Sequence, residues 1–298
     1  MAAVTLYREF ILDGGYYPIG GIEILPNVLT KSFIEFGGKI IFNHLVKQIN
    51  VENNSAKGIM LESGDTIFSK YVVSNVDAVQ TFSKLIDKKF LYYDQNLVEK
   101  IASRRPSNSM LIVYLGINRN LKSELTNCCA LWYVPSYSFK EDYFDITHNC
   151  SVKNGPVFCT IPSLFEETLA PIGSESVRLM VSASFKSKNY WIKNKPRLAD
   201  IMIKRAEKII PNLSKFIEIQ AIASPQTLYR YTLNNKGAVY GWASIPLQSQ
   251  DNLSYKTFLN NLFLCGHWVS FFGVQGGVSM VALVGYNVSK YIIKNWNT

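Results

Sequence analysis

An apolar run followed by glycines near the C-terminus is the part of the sequence best suited to hold a ligand. Residues 261–265 are typical of a buried strand that breaks at Gly266, and Gly273, Gly276 and Gly277 precede a long apolar helix. Glycine lets backbone N–H groups approach a ligand closely, and the N-terminus of a helix favours negative charge. The pattern therefore indicates contact with an anionic cofactor. Since no G-x-G-x-x-G follows a strand upstream, this contact would be a second, minor one to a dinucleotide.

The histidines and cysteines assign neither a catalytic residue nor a metal site. None of His44, His148 and His267 stands in a motif that fixes an acid or a base, so the catalytic residues stay unassigned. The five cysteines are an odd number without C-x-x-C spacing, which favours free thiols in a reducing compartment. His148 is close to Cys150 and Cys159 in the sequence, but a second pair of ligands is missing. We predict no metal.

Length and charge limit the class of protein. The 298 residues can form one large domain or two ordinary ones, and a hydrophobic content of 48% predicts a globular protein. The net charge is +9, yet no run of five or more basic residues occurs, so nucleic-acid binding is not predicted. A diffuse positive surface suits an anionic membrane face. We expect a cytoplasmic protein and leave peripheral membrane contact open.

One uncharged stretch, residues 268–289, is long enough to cross a bilayer. Gly276 and Gly277 would open its helix near the start, however, and leave a shorter apolar segment. We therefore predict a buried core helix and keep a single membrane span as an alternative.

The elements that must position the glycine-rich tail are short. A helix over residues 22–36 is predicted from one apolar face, and a helix capped by Asn75 carries Val79, Phe82 and Ile86. Between them the alternation of side chains predicts strands at 39–43, 46–51, 57–62, 66–68 and 71–74. Four later strands, at 109–115, 130–134, 156–161 and 176–184, precede a helix at 196–210 with Pro196 in its first turn. Aromatic residues in this later part suit a pocket for a large apolar ligand, and ordinary core packing is the alternative.

Six stretches of the chain carry a resemblance to a known family. They are Gly14-Gly15-Tyr16-Tyr17-Pro18-Ile19-Gly20-Gly21, Gly37-Gly38-Lys39-Ile40 with Asn43 and Val46, Val72-Val73-Ser74-Asn75-Val76-Asp77, and residues 161–164, 169–173 and 237–241. Together with the tail they resemble the phytoene desaturase and carotenoid isomerase family of FAD-dependent oxidoreductases, in the amine-oxidase-like superfamily. The resemblance covers essentially the whole chain in the expected order.

The resemblance implies FAD as the cofactor and places seven residues around it. The backbone of Val46 would pair with the adenine edge, and the turn Gly266-His267-Trp268 would face the pyrophosphate and the ribityl chain. Gly276, Gly277 and Val278 would begin the helix whose N–H groups face the flavin ring. The family usually has an acidic residue where this chain has His267, and a histidine can still donate or accept a hydrogen bond.

The family opens with a strand, a glycine-rich turn, a helix and a ribose-binding acid, which this sequence lacks. We therefore expect an α/β fold of mixed α+β character, namely an incomplete FAD/NAD(P)-binding domain with an inserted mixed-sheet substrate domain. The expected segments are 1–20 at the edge of the substrate domain, 21–86 as the partial FAD-binding domain, 87–236 as the substrate-binding domain and 237–298 as the C-terminal FAD-binding segment. The strands at 72–74 and 262–265 would keep exposed edges, so instability, aggregation or pairing with another chain follows.

The resemblance implies a C-terminal portion of an FAD-dependent oxidoreductase that acts on a carotenoid, a retinoid or another long isoprenoid lipid. The reaction would be a desaturation, a saturation or a cis–trans isomerisation. Because the nucleotide-binding half is missing, we expect weak or no FAD binding and no activity from this chain alone, and a separate polypeptide could supply that half. The alternative is a non-catalytic module that binds lipid or associates with membranes.

Overall fold

The computed structural model describes Leu12, Gly14 and residues 16–125, 130–145, 152–249, 253–269 and 277–296, and its helices and sheets are mixed, as predicted. Two compact units are present, one within residues 1–40 and 108–230 and the other within residues 41–107 and 231–298. The domain boundaries predicted from the sequence lie after residues 20, 86 and 236 instead. Which unit holds a cofactor and which a substrate stays a prediction.

The described helices and strands are as follows. The helices are α1 Ile24–Glu35, α2 Ala78–Gln80, α3 Gln95–Ser103, α4 Phe139–Phe144, α5 Lys188–Ala206, α6 Pro225–Thr232, α7 Pro246–Ser249 and α8 Val278–Lys294. The strands are β1 Val46–Glu52, β2 Ser55–Leu61, β3 Thr66–Phe68, β4 Val72–Ser74, β5 Ser109–Ile117, β6 Ala130–Tyr133, β7 Val157–Thr160, β8 Glu175–Ala183, β9 Ile217–Ala223 and β10 Leu262–Leu264.

The unit of residues 1–40 and 108–230 is built on one sheet in the order β6-β7-β8-β5-β9. Alternate residues of its central strands, such as Leu111, Val113 and Leu179, are buried in one core with side chains of α5. All described pairs in this sheet are antiparallel, so the prediction of a mixed sheet is wrong. Antiparallel neighbours need only short connections, whereas a parallel pair requires a long crossover.

Helix α5 begins eight residues before the predicted start, at Lys188. The side chain of Ser187 accepts a hydrogen bond from the N–H of Tyr190 at 3.2 Å and caps the first turn. Buried Trp191 anchors the added turns, and Pro196 lies inside the helix rather than in its first turn. Helix α1 lies near the predicted position, but none of its residues is buried.

Glu175 is a buried carboxylate that fixes two loops of this unit. It accepts hydrogen bonds from the N–H of Leu121, at 3.3 Å, and from the hydroxyl of Ser163. We expect Glu175→Ala to lower the free energy of unfolding by about 2 kcal/mol, because both donors lose their acceptor in the interior. Urea unfolding measures the change. The exposed variant Glu218→Ala is the control, with a change of at most about 0.5 kcal/mol, and equal losses in the two variants would refute the role of Glu175.

The unit of residues 41–107 and 231–298 contains the predicted meander, β1-β2-β3, and a two-stranded parallel sheet of β10 and β4. Its core contains Ile49 and Ala56 from the meander and residues of the C-terminal segment, namely Leu262, Trp268, Val284 and Val288. The predicted strand at 39–43 is wrong: no described strand pairs with it, and Asn43 has a φ of +60°. A strand needs a neighbour to satisfy its backbone groups.

The apolar C-terminal helix is α8, which ends at Lys294 and buries Val284 and Val288 in this core. Among the residues that the structure describes, no helix has the length and apolar character needed to span a bilayer.

Candidate functional site

The predicted end of the buried strand at Gly266 lies just after β10. Residues Gly266–Trp268 form a single 3-10 turn, and Gly266 has a φ of +80°. A Cβ at this position would lie 1.9 Å from Oδ1 of Asn75. The preceding residue, Cys265, still donates its N–H to the carbonyl of Ser74 at 2.8 Å. Glycine is therefore required for the chain to turn immediately after its last contact with β4.

A pair of tryptophans anchors this turn in the core. The indole N–H of Trp242 donates to the carbonyl oxygen of Trp268 at 2.9 Å, and the two rings meet edge to face with centroids 4.7 Å apart. The indole N–H of Trp268 in turn donates to Oδ1 of Asn234 at 3.3 Å. Trp268 is 1% exposed and Trp242 is fully buried. The side chain and the carbonyl of Trp268 thus hold the turn in place.

Gly241 supports the turn from the other side. It has a φ of +73°, and a Cβ there would lie 2.1 Å from the carbonyl oxygen of His267. Its own carbonyl accepts the N–H of Ser107 at 2.7 Å. The sequence analysis included Gly241 in the stretch 237–241 but assigned it no role, and it did not consider Trp242. A glycine followed directly by a tryptophan was the sequence feature that could have indicated both residues.

His267 is half-buried beside Trp268, with the ring centroids 5.1 Å apart. Burial lowers the pKa of His267, because it disfavours the charged imidazolium. The ring is therefore neutral at pH 7 and can donate through one nitrogen and accept through the other.

We expect His267 to titrate below the ordinary histidine pKa of about 6.5. Because the folded pKa is lowered, its contribution to stability is present above the unfolded pKa and is lost as the pH falls through the folded value. Titration of the imidazole proton resonances by NMR measures this, and His267→Gln identifies the resonance. A midpoint at or above 6.5 would show that burial does not control this side chain.

The N-terminus of α8 begins at the edge of the described residues, after 270–276. Gly277 precedes the helix with a φ of +80°, and a Cβ there would meet no described atom within 4 Å. Val278, the first helical residue, is 57% exposed, and no side-chain hydrogen bond caps this end among the described residues. The first N–H groups of a helix lack intrahelical acceptors, so this end can receive an anion or a polar ring edge. Gly276 lies outside the described residues.

The structure brings the turn and α8 into contact. Val46 lies at the start of β1, half-buried and opposite Leu61. The meander shares a core with the tail through Ile49, and Val46 itself lies outside that buried cluster. Its predicted adenine contact stays a prediction.

Among the described residues, no group of three or more potential metal ligands occurs. Cys159 is buried, and Cys265 is half-buried with a pKa raised by burial. His148 and Cys150, the other members of the weak sequence cluster, lie outside the described ranges.

Three curated proteins are similar to this chain. The prolycopene isomerase of Daucus carota chloroplasts is 29% identical over 231 residues, which are 76% of this chain and 35% of the relative. A 1-hydroxycarotenoid 3,4-desaturase of Flavobacterium is 29% identical over 237 residues, 78% and 46% of the two chains. A 4,4'-diaponeurosporene oxygenase of Staphylococcus aureus is 23% identical over 289 residues, 94% and 55%. The chain is thus similar to carotenoid isomerases, desaturases and an oxygenase.

Solved structures of oxidoreductases share the fold of this chain. An oxidoreductase from Methanosarcina mazei superposes with a TM-score of 0.62 at 17% identity, over 92% of this chain and 55% of that one. A putrescine oxidase superposes with a TM-score of 0.55 at 10% identity, over 93% and 53%. No family model matches the chain. The chain spans between about a third and about half of the length of these curated relatives.

The segment Val72–Asp77 ends in a buried carboxylate. Asp77 is fully buried and accepts hydrogen bonds from the N–H groups of Val79, at 2.7 Å, Gln80, at 3.3 Å, and Asn235. Burial raises the pKa of Asp77 despite these bonds. Asp77 rather than Asn75 therefore caps α2, because its carboxylate reaches both free N–H groups of the first turn.

Proposed function

We propose that this chain is the C-terminal portion of an FAD-dependent oxidoreductase that acts on a carotenoid or another long isoprenoid lipid. The proposal rests on the activities for which its relatives are named, which are carotenoid isomerisation, desaturation and oxygenation. One observation supports a cofactor site: the turn at Gly266 contacts α8, and Trp268 shares one core with Val284 and Val288 of that helix and with Ile49 of the meander. The chain would then contribute to an incomplete FAD-binding domain.

The chemistry of these residues fits part of a flavin cofactor. The backbone N–H groups at the start of α8 have no side-chain cap among the described residues. The backbone of residues 266–268 would hold the pyrophosphate side, with Val46 near the adenine. When bound, the flavin would exchange hydride or electrons with the substrate. The residues of this chain would orient it and exclude water from the ring.

The unit of residues 1–40 and 108–230 is the proposed substrate domain. One face of its sheet is covered by α5, and the other carries Trp132, which is 62% exposed and stacks on Phe158 at a centroid distance of 4.4 Å. Tyr114 is exposed on the same face, on β5, three strands from Trp132. Exposed aromatic rings offer flat apolar surfaces, which suit a conjugated chain.

Flavin and ligand binding test the proposal. The chain is to be purified alone and together with the part of the Staphylococcus aureus oxygenase that it does not match, each with added FAD and a carotenoid. We expect flavin absorbance to remain with the pair after gel filtration and to be weak or absent with the chain alone. Retention of the carotenoid without any flavin, in both preparations, would refute the oxidoreductase and favour a lipid-binding module.

A further inference from the structure

The face of the five-stranded sheet that points away from α5, here called the outward face, is apolar along one row of residues. Register partners in antiparallel strands lie on the same face, so the outward side chains form rows that cross all five strands. The first row is Trp132, Phe158, Met180, Ile112 and Ala223. The free face of an antiparallel sheet is normally polar. The apolar row therefore indicates a surface that binds a ligand.

The next row contains one charged residue, Arg178. The row is Ala130, Thr160, Arg178, Tyr114 and Ala221, and it lies two residues, about 7 Å, from the first. Arg178 is exposed and belongs to β8, the middle strand of the sheet. Its charge thus lies at the centre of the outward face, and neither row contains an acidic residue.

The guanidinium of Arg178 is oriented along its own row. Its Nε donates a hydrogen bond to Oγ1 of Thr160 at 3.1 Å. The two terminal nitrogens carry four further N–H donors, and among the described residues no acidic side chain forms an ion pair with Arg178. A planar pair of N–H donors matches the two oxygens of a carboxylate.

A groove of about 270 Å³ begins beside Arg178, at its register partner Tyr114. Apolar side chains of the sheet and of one loop line most of it, namely Tyr114, Ile219, Leu169, Ala170 and Pro171. Glu175 and Glu218 also line the groove, but both already accept hydrogen bonds within this unit. Apolar surface for a chain is therefore present on both sides of Arg178, along the first row and in the groove.

We propose that Arg178 binds a carboxylate at one end of a long apolar ligand, whose chain lies on the outward face. A pure hydrocarbon in this place would remove water from the guanidinium without giving it a partner, which is costly. A carboxylate supplies the opposite charge and the acceptors. The inference rests on the proposed function, in which this unit binds the substrate, and it narrows that substrate to an isoprenoid acid. Arg178 is then a residue that determines specificity.

Retinoic acid and retinol are suitable probes, because they share one polyene chain and differ in the end group. Equilibrium dialysis of the full chain at about pH 8, where a carboxylic acid is ionised, measures both affinities through the absorbance of the probe. We expect the wild type to bind retinoic acid at least about tenfold more tightly than retinol. Arg178→Gln should lower the affinity for retinoic acid to that for retinol and leave retinol binding unchanged. Arg178→Lys, which keeps a point charge, should retain part of the preference.

Two further variants are controls. Arg197 is an exposed arginine of α5, on the other side of the sheet, so Arg197→Gln should change neither affinity. Trp132→Ala removes apolar surface from the first row and leaves Arg178 in place. It should weaken the binding of both probes by the same factor, since the chain rather than the end group loses a contact.

Equal affinities of the wild type for the two probes, or no binding of either, would overturn the inference. So would an Arg178→Gln variant that weakens both probes alike, which would make Arg178 a support of the sheet, or one that changes neither. The proposed function is tested separately by flavin absorbance. FAD retained without a preference for the acid would keep the oxidoreductase and refute the role of Arg178. A preference for the acid that depends on Arg178, without any FAD, would keep the acid site and refute the oxidoreductase.

Discussion

Replacing Gly241 by alanine is expected to lower the free energy of unfolding by at least about 3 kcal/mol. Two effects add. An alanine is strained at a φ of +73°, and its Cβ would lie 2.1 Å from the carbonyl oxygen of His267, a backbone atom that no rotamer change can move. The turn that carries Gly266 would therefore have to shift as a whole. Urea unfolding followed by tryptophan fluorescence measures the loss, since Trp242 and Trp268 lie beside it.

Gly277→Ala is the matched control for this variant. Gly277 has almost the same φ, +80°, but a Cβ there would meet no atom within 4 Å. Its cost should be that of the backbone strain alone, about 1 kcal/mol. If the two variants lost the same stability, the close approach of Gly241 to the turn would be wrong, and backbone strain would explain both.

The sequence predicted the meander well because its signals are local. Alternating side chains and the turn at residues 63–65 predicted a strand at 66–68, where β3 is found, and a strand at 46–51, where β1 extends one residue further. The break at Gly266 and the helix after Gly277 were also local, since each follows from one glycine beside an apolar run. These elements are defined by neighbours in the chain.

The missed features depend on contacts distant in sequence. Asp77 binds the backbone of Asn235, 158 residues away, and the sequence around Asp77 offers Asn75 as an equally good cap. The strand predicted at 39–43 has suitable residues but no partner strand among those described. Strand β9 was not predicted, although Ile217 and Ile219 alternate with Glu218 and Gln220, and most of its residues are exposed in the fold. Pairing and burial, which decide these cases, are properties of the folded chain.

Replacing Asp77 by alanine is expected to cost about 3 kcal/mol of stability. The carboxylate is the acceptor for three backbone N–H groups, those of Val79, Gln80 and Asn235, and the variant leaves them without it at a fully buried position. It would loosen both α2 and the segment that leads to Trp242. Asp65→Ala is the control: Asp65 is exposed in the turn before β3, and its loss should cost at most about 0.5 kcal/mol.

Asp77→Asn separates the hydrogen bonds of this residue from its charge. Because burial raises the pKa of Asp77 in the folded chain, the folded state holds the proton more tightly than the unfolded state. The contribution of Asp77 to stability is then greatest below the unfolded pKa, about 3.9, and declines as the pH rises through the raised folded value. Asparagine does not titrate, so the stability of the wild type relative to Asp77→Asn should fall across this window and then level off. Urea unfolding of both proteins at a series of pH values measures the difference. A relative stability that rises with pH would mean that the three N–H donors favour the carboxylate more than burial disfavours it.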